Sequence, residues 1–292
     1  MRESLFILAQ KLAPQHLLSR AAALLAESRV PAVKNTFIRW FVRRYGVDMS
    51  QAVEPDPTRY GSFNEFFTRA LKPGMRPMDQ DPGAILCPAD GAISQIGAIH
   101  QGRVFQAKGQ DFCLSQLLAE PEKDLHAFDQ GRFATVYLSP KDYHRVHMPI
   151  SGTLTRMTFV PGDLFSVNPL TARRVPGLFA RNERVVAWFD TDIGPVAVVL
   201  VGAMIVASIA TTWAGTVAPG GKKIQVTDYP PGQAPRIERG EEMGCFMLGS
   251  TVILVLPRNS VQWQDHYRSE TAVSMGETLG WVGPGQASDS EQ

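Results

Sequence analysis

A long uncharged segment in the carboxyl half of the chain limits the folds that are open to it. Residues 193–221 carry no Asp, Glu, Lys or Arg, and the segment exceeds the roughly 20 apolar residues that span a bilayer as a helix. Gly194 and Pro195 open the segment, Gly202 divides it, and many of its residues are β-branched. These features favour two or more buried strands over a membrane helix. We therefore predict that the chain does not span a bilayer.

Short strand-like runs lie on both sides of this segment, from about residue 84 to residue 257. Each run is bounded by Gly, Pro or Asp, which is typical of strands joined by turns. The stretch from Asp190 to Gly194 separates two apolar runs and predicts a hairpin connection. The runs are AILCPA, AISQIGAI, ATVYLS, GTLTRMTFV, RVVAWFD, PVAVVLVGAMIVASIA, KKIQVTD and FMLGSTVILVLP. We expect them to form a β-rich, mostly antiparallel domain.

The amino-terminal part of the chain has helical periodicity instead. Helices are predicted over Ser4–Lys11, over residues 17–25 and over Pro31–Tyr45, where Gly46 ends the last one. A short helix over Ser62–Leu71, capped by Ser62 or Asn64, follows. The predicted fold class is therefore α+β, with amphipathic helices in front of the β-rich domain.

The positive charge is concentrated in this helical part. The whole chain has 29 Lys and Arg against 28 Asp and Glu, whereas residues 1–76 have 12 against 6. The balanced total argues against a nucleic-acid-binding protein, and the basic end favours an acidic partner surface. The third helix places Val33, Phe37, Trp40 and Phe41 near one face and Lys34, Arg39, Arg43 and Arg44 around the rest. Such a helix either lies in the headgroup region of an anionic membrane or packs on its own domain.

Two regions are predicted from these patterns. Residues 1–60 form a basic helical region, and residues 61–292 form a β-rich domain. The first residues lack the small-residue cleavage site of a secretory signal. Three cysteines are an odd number without CxxC spacing, which favours reduced thiols in a cytosolic setting.

Two polar motifs in the body carry candidate chemistry. Asp90 precedes Gly91 between two apolar runs, where an Asp is either turn chemistry or a catalytic carboxylate. His144 and His147 lie close together in a predicted loop that ends at Pro149. They are candidates for metal ligands, for a general base with a substrate contact, or for two solvated loop histidines.

A third motif interrupts an apolar strand. Gly249, Ser250 and Thr251 stand in the middle of FMLGSTVILVLP, where a glycine either marks a bulge or allows close approach to the backbone. Alternatively, the peptide bond between Gly249 and Ser250 is itself the substrate. The Ser hydroxyl then attacks the preceding carbonyl while a nearby base takes its proton.

Five ordered blocks resemble one enzyme family. They are Phe63–Arg69 with Lys72-Pro-Gly and Arg76-Pro77, then Pro88–Gly91, Tyr143–His147, Phe165–Pro169 and Leu248–Thr251. Together they are similar to the phosphatidylserine decarboxylase proenzymes, of the bacterial and mitochondrial type with an LGST processing site. The match runs from about residue 60 to residue 257.

The resemblance implies a self-cleaving, pyruvoyl-dependent decarboxylase. Asp90, His147 and Ser250 resemble the family's serine-protease-like triad, with His147 as the general base. Cleavage between Gly249 and Ser250 leaves a β chain of residues 1–249 and an α chain of residues 250–292 that begins with a pyruvoyl group. This group forms a Schiff base with phosphatidylserine and accepts the electron pair that is released as carbon dioxide leaves, giving phosphatidylethanolamine. No metal is needed.

The resemblance also assigns substrate contacts and partners. His144 is expected to contact the substrate carboxylate or to donate a proton, and Val167 and Asn168 are expected to line the substrate pocket. The lipid substrate favours membrane binding by the basic helices, at the cytoplasmic face of a bacterial inner membrane and as a peripheral protein. A homodimer of processed αβ units is a further expectation, and no nucleic-acid partner is expected.

Three other functions are compatible with parts of the pattern. The first is an autoprocessing serine hydrolase, against which the absence of a GxSxG motif counts. The second is a membrane-surface binding module without enzymatic activity, and the third is a zinc site at His144 and His147 with Asp90 as a further ligand. Cleavage of the chain distinguishes the decarboxylase from the last two.

Overall fold

A computed structural model describes residue 10 and residues 15–107, 109–204, 208–247 and 250–283. The predicted helix over Ser4–Lys11, apart from residue 10, lies outside the described residues, and so do Leu248 and Gly249.

Six α-helices occur in the described part of the chain. They are α1 (Gln15–Glu27), α2 (Pro31–Tyr45), α3 (Phe63–Phe67), α4 (Leu114–Leu118), α5 (Pro169–Arg174) and α6 (Leu178–Arg181), and single 3-10 turns cover Met49–Gln51, Glu122–Asp124 and His126–Phe128. The predicted bounds of α2 are confirmed, because Gly46 has a φ of 67° and donates its N–H to the Val42 carbonyl. The predicted cap of α3 is also confirmed, since the Ser62 hydroxyl accepts a hydrogen bond from the Glu65 N–H.

Helix α3 is shorter than predicted. It ends at Phe67 and not at Leu71. The reason is that the following residues are extended and pair with an earlier segment, where Ala52 forms a β-bridge with Leu71. This pairing competes with helix continuation for the same backbone groups.

Eighteen strands lie in the described residues. They are β1 (Ala84–Leu86), β2 (Gly91–Ala98), β3 (Arg103–Ala107), β4 (Gln110–Cys113), β5 (Arg132–Leu138), β6 (Arg145–His147), β7 (Gly152–Val160), β8 (Arg184–Thr191), β9 (Gly194–Val201), β10 (Ile209–Thr211), β11 (Gly215–Ala218), β12 (Gln225–Asp228), β13 (Arg236–Ile237), β14 (Glu242–Phe246), β15 (Ser250–Leu256), β16 (Val261–Trp263), β17 (Ala272–Val273) and β18 (Thr278–Val282).

The strands form one large antiparallel sheet and three small ones. The large sheet has nine strands in the order β12-β7-β8-β9-β15-β5-β2-β17, with β13 also paired to β7. The small sheets have the orders β11-β10-β14-β6, β1-β18-β16 and β3-β4. The expectation of an α+β fold with a mostly antiparallel body is confirmed.

The large sheet is buried on both faces, which explains why its central strands are apolar at nearly every position. On β15, Val252 and Leu254 belong to one core cluster, whereas Ile253 and Val255 belong to another. The first cluster includes side chains of the four-stranded and three-stranded sheets, and the second includes side chains of α4 to α6 and of the β3-β4 hairpin. Alternating side chains on a strand point to opposite faces, so both faces need an apolar surface.

The uncharged segment is made of strands, as predicted. It contains β9, β10 and β11, and β8 joins β9 as a hairpin through residues 192 and 193. Among the described residues, no helix is long and apolar enough to cross a membrane.

The two front helices, α1 and α2, pack on α3 around a separate aromatic cluster. Its buried members are Ala26, Ile38, Phe41, Val47, Phe63, Phe66 and Phe67. The predicted division of faces on α2 is only partly correct. Phe41 is buried, but Val33 and Trp40 are exposed. Lys34 is buried instead because its ammonium donates to the Thr58 carbonyl at 2.9 Å.

Candidate active site

Asp90 is held at the start of β2 by groups that are distant in sequence. Its Oδ1 accepts hydrogen bonds from Arg76 Nε at 2.8 Å and from the Met275 N–H at 2.8 Å, and its Oδ2 accepts one from Arg76 Nη2. Gly91 is required beside it, since a Cβ there would lie 2.1 Å from the Tyr137 carbonyl oxygen. Gly91 therefore allows β2 to lie close to β5 directly after Asp90.

His147 ends β6, and both of its ring nitrogens have partners. Nδ1 lies 2.9 Å from the Gly240 carbonyl oxygen, and Nε2 lies 3.1 Å from the Tyr143 hydroxyl. The His147 N–H donates to the Pro88 carbonyl, which places the histidine next to the segment that carries Asp90. Burial lowers the pKa of His147, and the hydrogen bond to Gly240 opposes this effect.

Asp90 and His147 therefore lie on adjacent segments, but their side chains do not hydrogen-bond to each other in this structure. The Asp90 carboxylate is bonded to Arg76 and Met275, while the His147 imidazole is bonded to Gly240 and Tyr143. In a serine-protease triad the carboxylate accepts from Nδ1. Here a backbone carbonyl takes that position.

His144 is fully buried beneath the aromatic cluster. Its Nδ1 lies 2.8 Å from the Asp142 carbonyl oxygen, and its ring packs on Phe67 with 4.0 Å between the ring centroids. Its Nε2 is buried and has no hydrogen-bond partner among the described residues. Burial lowers the pKa of His144 to about 3. The alternative of two solvated loop histidines is therefore wrong, and the predicted loop contains the short strand β6.

Ser250 is the first residue of β15. Its side chain is fully buried, and its hydroxyl has no hydrogen-bond partner within the described residues. On the neighbouring strand β5, Ser250 is opposite Leu138 and Thr251 is opposite Tyr137. The predicted run FMLGSTVILVLP is thus two strands in different sheets, β14 and β15, and the chain changes sheets at the residues just before Ser250.

A cleft of about 710 Å³ is lined by residues that include Asp90, Tyr137 and Val167, whereas His144, His147 and Ser250 are not part of its lining. Because Tyr137 is paired with Thr251, the start of β15 adjoins the wall of the cleft. Val167 is buried at this wall, which agrees in place with its predicted role. Asn168 caps α5, its Oδ1 accepting from the Thr171 N–H at 3.0 Å. The roles of Val167 and Asn168 in substrate binding stay predictions.

The aromatic cluster reaches the histidine segment through three consecutive residues. Phe67 packs on His144, the Thr68 carbonyl accepts from Arg145 Nε at 2.9 Å, and Arg69 Nη2 donates to the Lys141 carbonyl at 3.0 Å. The front helices and the candidate site are therefore connected by direct packing.

The described residues contain no group of three or more His, Cys, Asp and Glu side chains that could hold a metal ion.

Comparison of the sequence with known proteins identifies its family. A family model described as phosphatidylserine decarboxylase matches residues 63–281, and another described as PSD matches residues 5–46. The chain is 56% identical over 281 residues to the phosphatidylserine decarboxylase proenzyme of Marinobacter nauticus, an alignment that covers 96% of this chain and 98% of that protein. It is 57% identical over 282 residues to the protein of the same description from Stutzerimonas stutzeri, with 96% and 95% covered.

The chain belongs to the phosphatidylserine decarboxylase family. The resemblance drawn from the five blocks is confirmed, and so is the prediction that the chain is a decarboxylase. Membership of the family does not by itself assign roles to residues, and the roles of Asp90, His144, His147 and Ser250 stay predictions.

Sequence reasoning missed several residues that contact the candidate triad in this family member. Arg76 and Tyr143 lie within the recognised blocks, and a requirement for partners of a buried carboxylate and imidazole could have singled them out. Gly240 and Met275 contribute only backbone atoms. No side-chain signal in the sequence indicates them.

Proposed function

We propose that this chain is the proenzyme of a pyruvoyl-dependent phosphatidylserine decarboxylase that cleaves itself between Gly249 and Ser250. The observation that carries the proposal is the Ser250 hydroxyl, which is buried at the start of β15 and has no hydrogen-bond partner in the part of the chain that the structure describes. A buried hydroxyl without a partner costs free energy of folding, and a catalytic role is one explanation for retaining it. The family supports that use, since the relatives named above are described as proenzymes.

Cleavage follows from the chemistry of the Gly–Ser bond. The Ser250 oxygen attacks the Gly249 carbonyl carbon while a base takes the hydroxyl proton, the C–N bond breaks, and the nitrogen gains a proton. Gly249 is then joined to Ser250 as an ester. Loss of the Cα proton of residue 250 expels the Gly249 carboxylate, which keeps the Ser250 oxygen, and leaves dehydroalanine. Its imine tautomer takes up water and releases ammonia, so that a pyruvoyl group remains at residue 250.

His147 is the base assigned to this step. Its Nδ1 proton is committed to the Gly240 carbonyl, so the neutral ring carries its lone pair on Nε2. Asp90 lies on the segment next to the imidazole, and its negative charge favours the protonated form of His147. We propose that this charge stabilises the imidazolium formed as the Ser250 proton is accepted.

The pyruvoyl group supplies a carbonyl that accepts the electron pair released as carbon dioxide leaves phosphatidylserine. Ser250 fits this group because its side chain is fully buried at the start of β15, next to Thr251, whose strand partner Tyr137 lines the cleft. The cleft receives the headgroup, with Val167 and Asn168 near its wall. His144 is proposed to contact the substrate carboxylate or to donate the proton that replaces it, and either role requires a rearrangement that exposes its ring, because the side chain is fully buried and does not line the cleft. The product is phosphatidylethanolamine.

The front helices are proposed to bring the cleft to anionic lipid at the cytoplasmic face of the inner membrane. The exposed Val33 and Trp40 on α2 support this role, since they lie on the helix that also carries Arg39, Arg43 and Arg44. A peripheral enzyme that acts on a membrane lipid needs such a surface. Assembly of two αβ units into a homodimer stays part of the proposal.

Intact-mass analysis of the purified chain under denaturing conditions tests the cleavage. We expect two fragments, residues 1–249 and residues 250–292, the second with a ketone in place of its amino terminus. The Ser250→Ala variant should remain one chain and be inactive. The matched control is Ser260→Ala, which removes another buried hydroxyl, one that donates to the Pro257 carbonyl, and should cleave normally. An active protein that consists of one unmodified chain would refute the proposal.

A further inference from the structure

The hydroxyl of Tyr143 is hydrogen-bonded to Nε2 of His147, the nitrogen through which His147 would act as the base. The Gly240 carbonyl can only accept a hydrogen bond, so Nδ1 of His147 must carry a proton. In the neutral ring Nε2 then has only a lone pair, and the Tyr143 oxygen 3.1 Å away must donate its proton to it. The hydroxyl therefore uses the same lone pair that has to accept the proton of Ser250.

The surroundings keep both partners in these protonation states. Tyr143 is buried, and burial raises its pKa to about 12, so that its hydroxyl stays protonated at neutral pH. Burial lowers the pKa of His147, which keeps the imidazole neutral. The charged groups that act on His147 are Arg145 on its own strand, Glu242 on the paired strand β14, and Asp90, bonded to Arg76, on the segment before β2.

We infer that Tyr143 is a positioning residue that holds His147 in a latent arrangement and competes with Ser250 for Nε2. The inference rests on the proposed self-cleavage. For His147 to act as the base, the Tyr143 hydroxyl must leave Nε2 and the Ser250 hydroxyl must take its place. The hydrogen bond from Tyr143 therefore slows cleavage of the newly folded proenzyme.

The test is the rate of self-cleavage of the full chain with Tyr143→Phe, measured as the appearance of the two fragments over a range of pH. A neutral hydrogen bond lost from the starting state should speed the plateau rate by about two- to tenfold. The same bond stabilises the neutral imidazole, so its loss should raise the His147 pKa and move the inflection of the pH profile to higher pH. The matched control is Tyr60→Phe, which loses one hydrogen bond from a tyrosine hydroxyl to the Glu54 carbonyl. Its cleavage rate and pH profile should match those of the parent chain.

A second measurement separates competition from a loss of structure. In the Ser250→Ala chain, which cannot cleave, NMR titration of His147 should give a higher pKa when Tyr143→Phe is added. The His147 signal is assigned by its disappearance in His147→Gln.

The outcomes distinguish this inference from the proposed function. Cleavage that persists in Ser250→Ala would refute the self-cleavage itself. If Ser250→Ala stays intact but Tyr143→Phe has a slower plateau, the hydroxyl assists and does not compete, and the inference is wrong. An inflection and a His147 pKa equal to those of the parent chain would overturn it equally.

Discussion

The guanidinium of Arg76 donates two hydrogen bonds to the carboxylate of Asp90, and only 16% and 10% of the two side chains are exposed. Hydrogen bonding to Asp90 raises the pKa of Arg76, so the guanidinium stays charged. Their side chains are less exposed than those of the ion pair between Arg145 and Glu242, of which 30% and 30% are exposed. Both residues line the cleft, and their contact fixes the position of the carboxylate there.

We predict that Arg76→Gln destabilises the chain strongly. Removal of one partner leaves an incompletely compensated charge in a buried position, which typically costs about 3–5 kcal/mol. The free energy of unfolding, measured by urea titration in the Ser250→Ala background, checks this. The exposed pair between Arg103 and Asp111 provides the control, and Arg103→Gln should have little effect. Equal effects of the two substitutions would contradict the prediction.

The buried His144 should make the fold less stable in acid. Burial lowers its pKa from the ordinary value of 6.5 to about 3, so between these values the unfolded chain binds a proton that the folded chain does not. The free energy of unfolding should therefore fall as the pH drops below about 6.5, with a contribution of up to about 1.4 kcal/mol per pH unit. In the Ser250→Ala background, His144→Gln should give a shallower dependence, and the exposed His126→Gln should not. Parallel curves for all three chains would contradict this.

Glu183 should have the opposite effect on stability. It is buried, and burial raises its pKa to about 7 from 4.5. Between these values the folded chain keeps a proton that the unfolded chain loses, so the free energy of unfolding falls as the pH rises through this window. We expect Glu183→Gln to be more stable than the parent chain at pH 8, by on the order of 1–2 kcal/mol, and similar at pH 4.

Chemical denaturation of the Ser250→Ala chain at the two pH values measures this difference. The exposed Glu122→Gln serves as the control and should change little at either pH. A Glu183→Gln variant whose advantage is the same at pH 4 and pH 8 would show that the carboxyl is not the cause.

The cations of α2 should determine binding to anionic lipid. Each Lys or Arg near an anionic membrane contributes about 1 kcal/mol, so replacing Arg39, Arg43 and Arg44 by Gln should weaken binding by roughly 100-fold at low salt. Sedimentation with vesicles that contain phosphatidylserine measures this. A chain in which the exposed Arg103, Arg236 and Arg268 are replaced by Gln is the control. Equal loss in both chains would mean that total charge, and not α2, is responsible.

Local patterns in the sequence determined most of the elements. The helix over Pro31–Tyr45 has its end signal in Gly46, and Ser62 caps α3 three residues before Glu65. The alternation of apolar residues did not reveal which strands share a sheet. FMLGSTVILVLP is continuous in the sequence but is divided between two sheets, because Phe246 belongs to β14, which pairs with β6, whereas Ser250 begins β15, which pairs with β5 and β9.

The sequence by itself determined the family and the residues that carry candidate chemistry, because motifs keep their order along the chain. Only the tertiary structure decided what those residues bind. Asp90 accepts a hydrogen bond from the Met275 N–H, and His147 is hydrogen-bonded to the Gly240 carbonyl, although both partners are far away in the sequence. A sequence pattern records side chains, whereas these partners are backbone groups whose positions depend on sheet register. For that reason the contacts of Asp90 with Met275 and of His147 with Gly240 could be found only in the folded molecule.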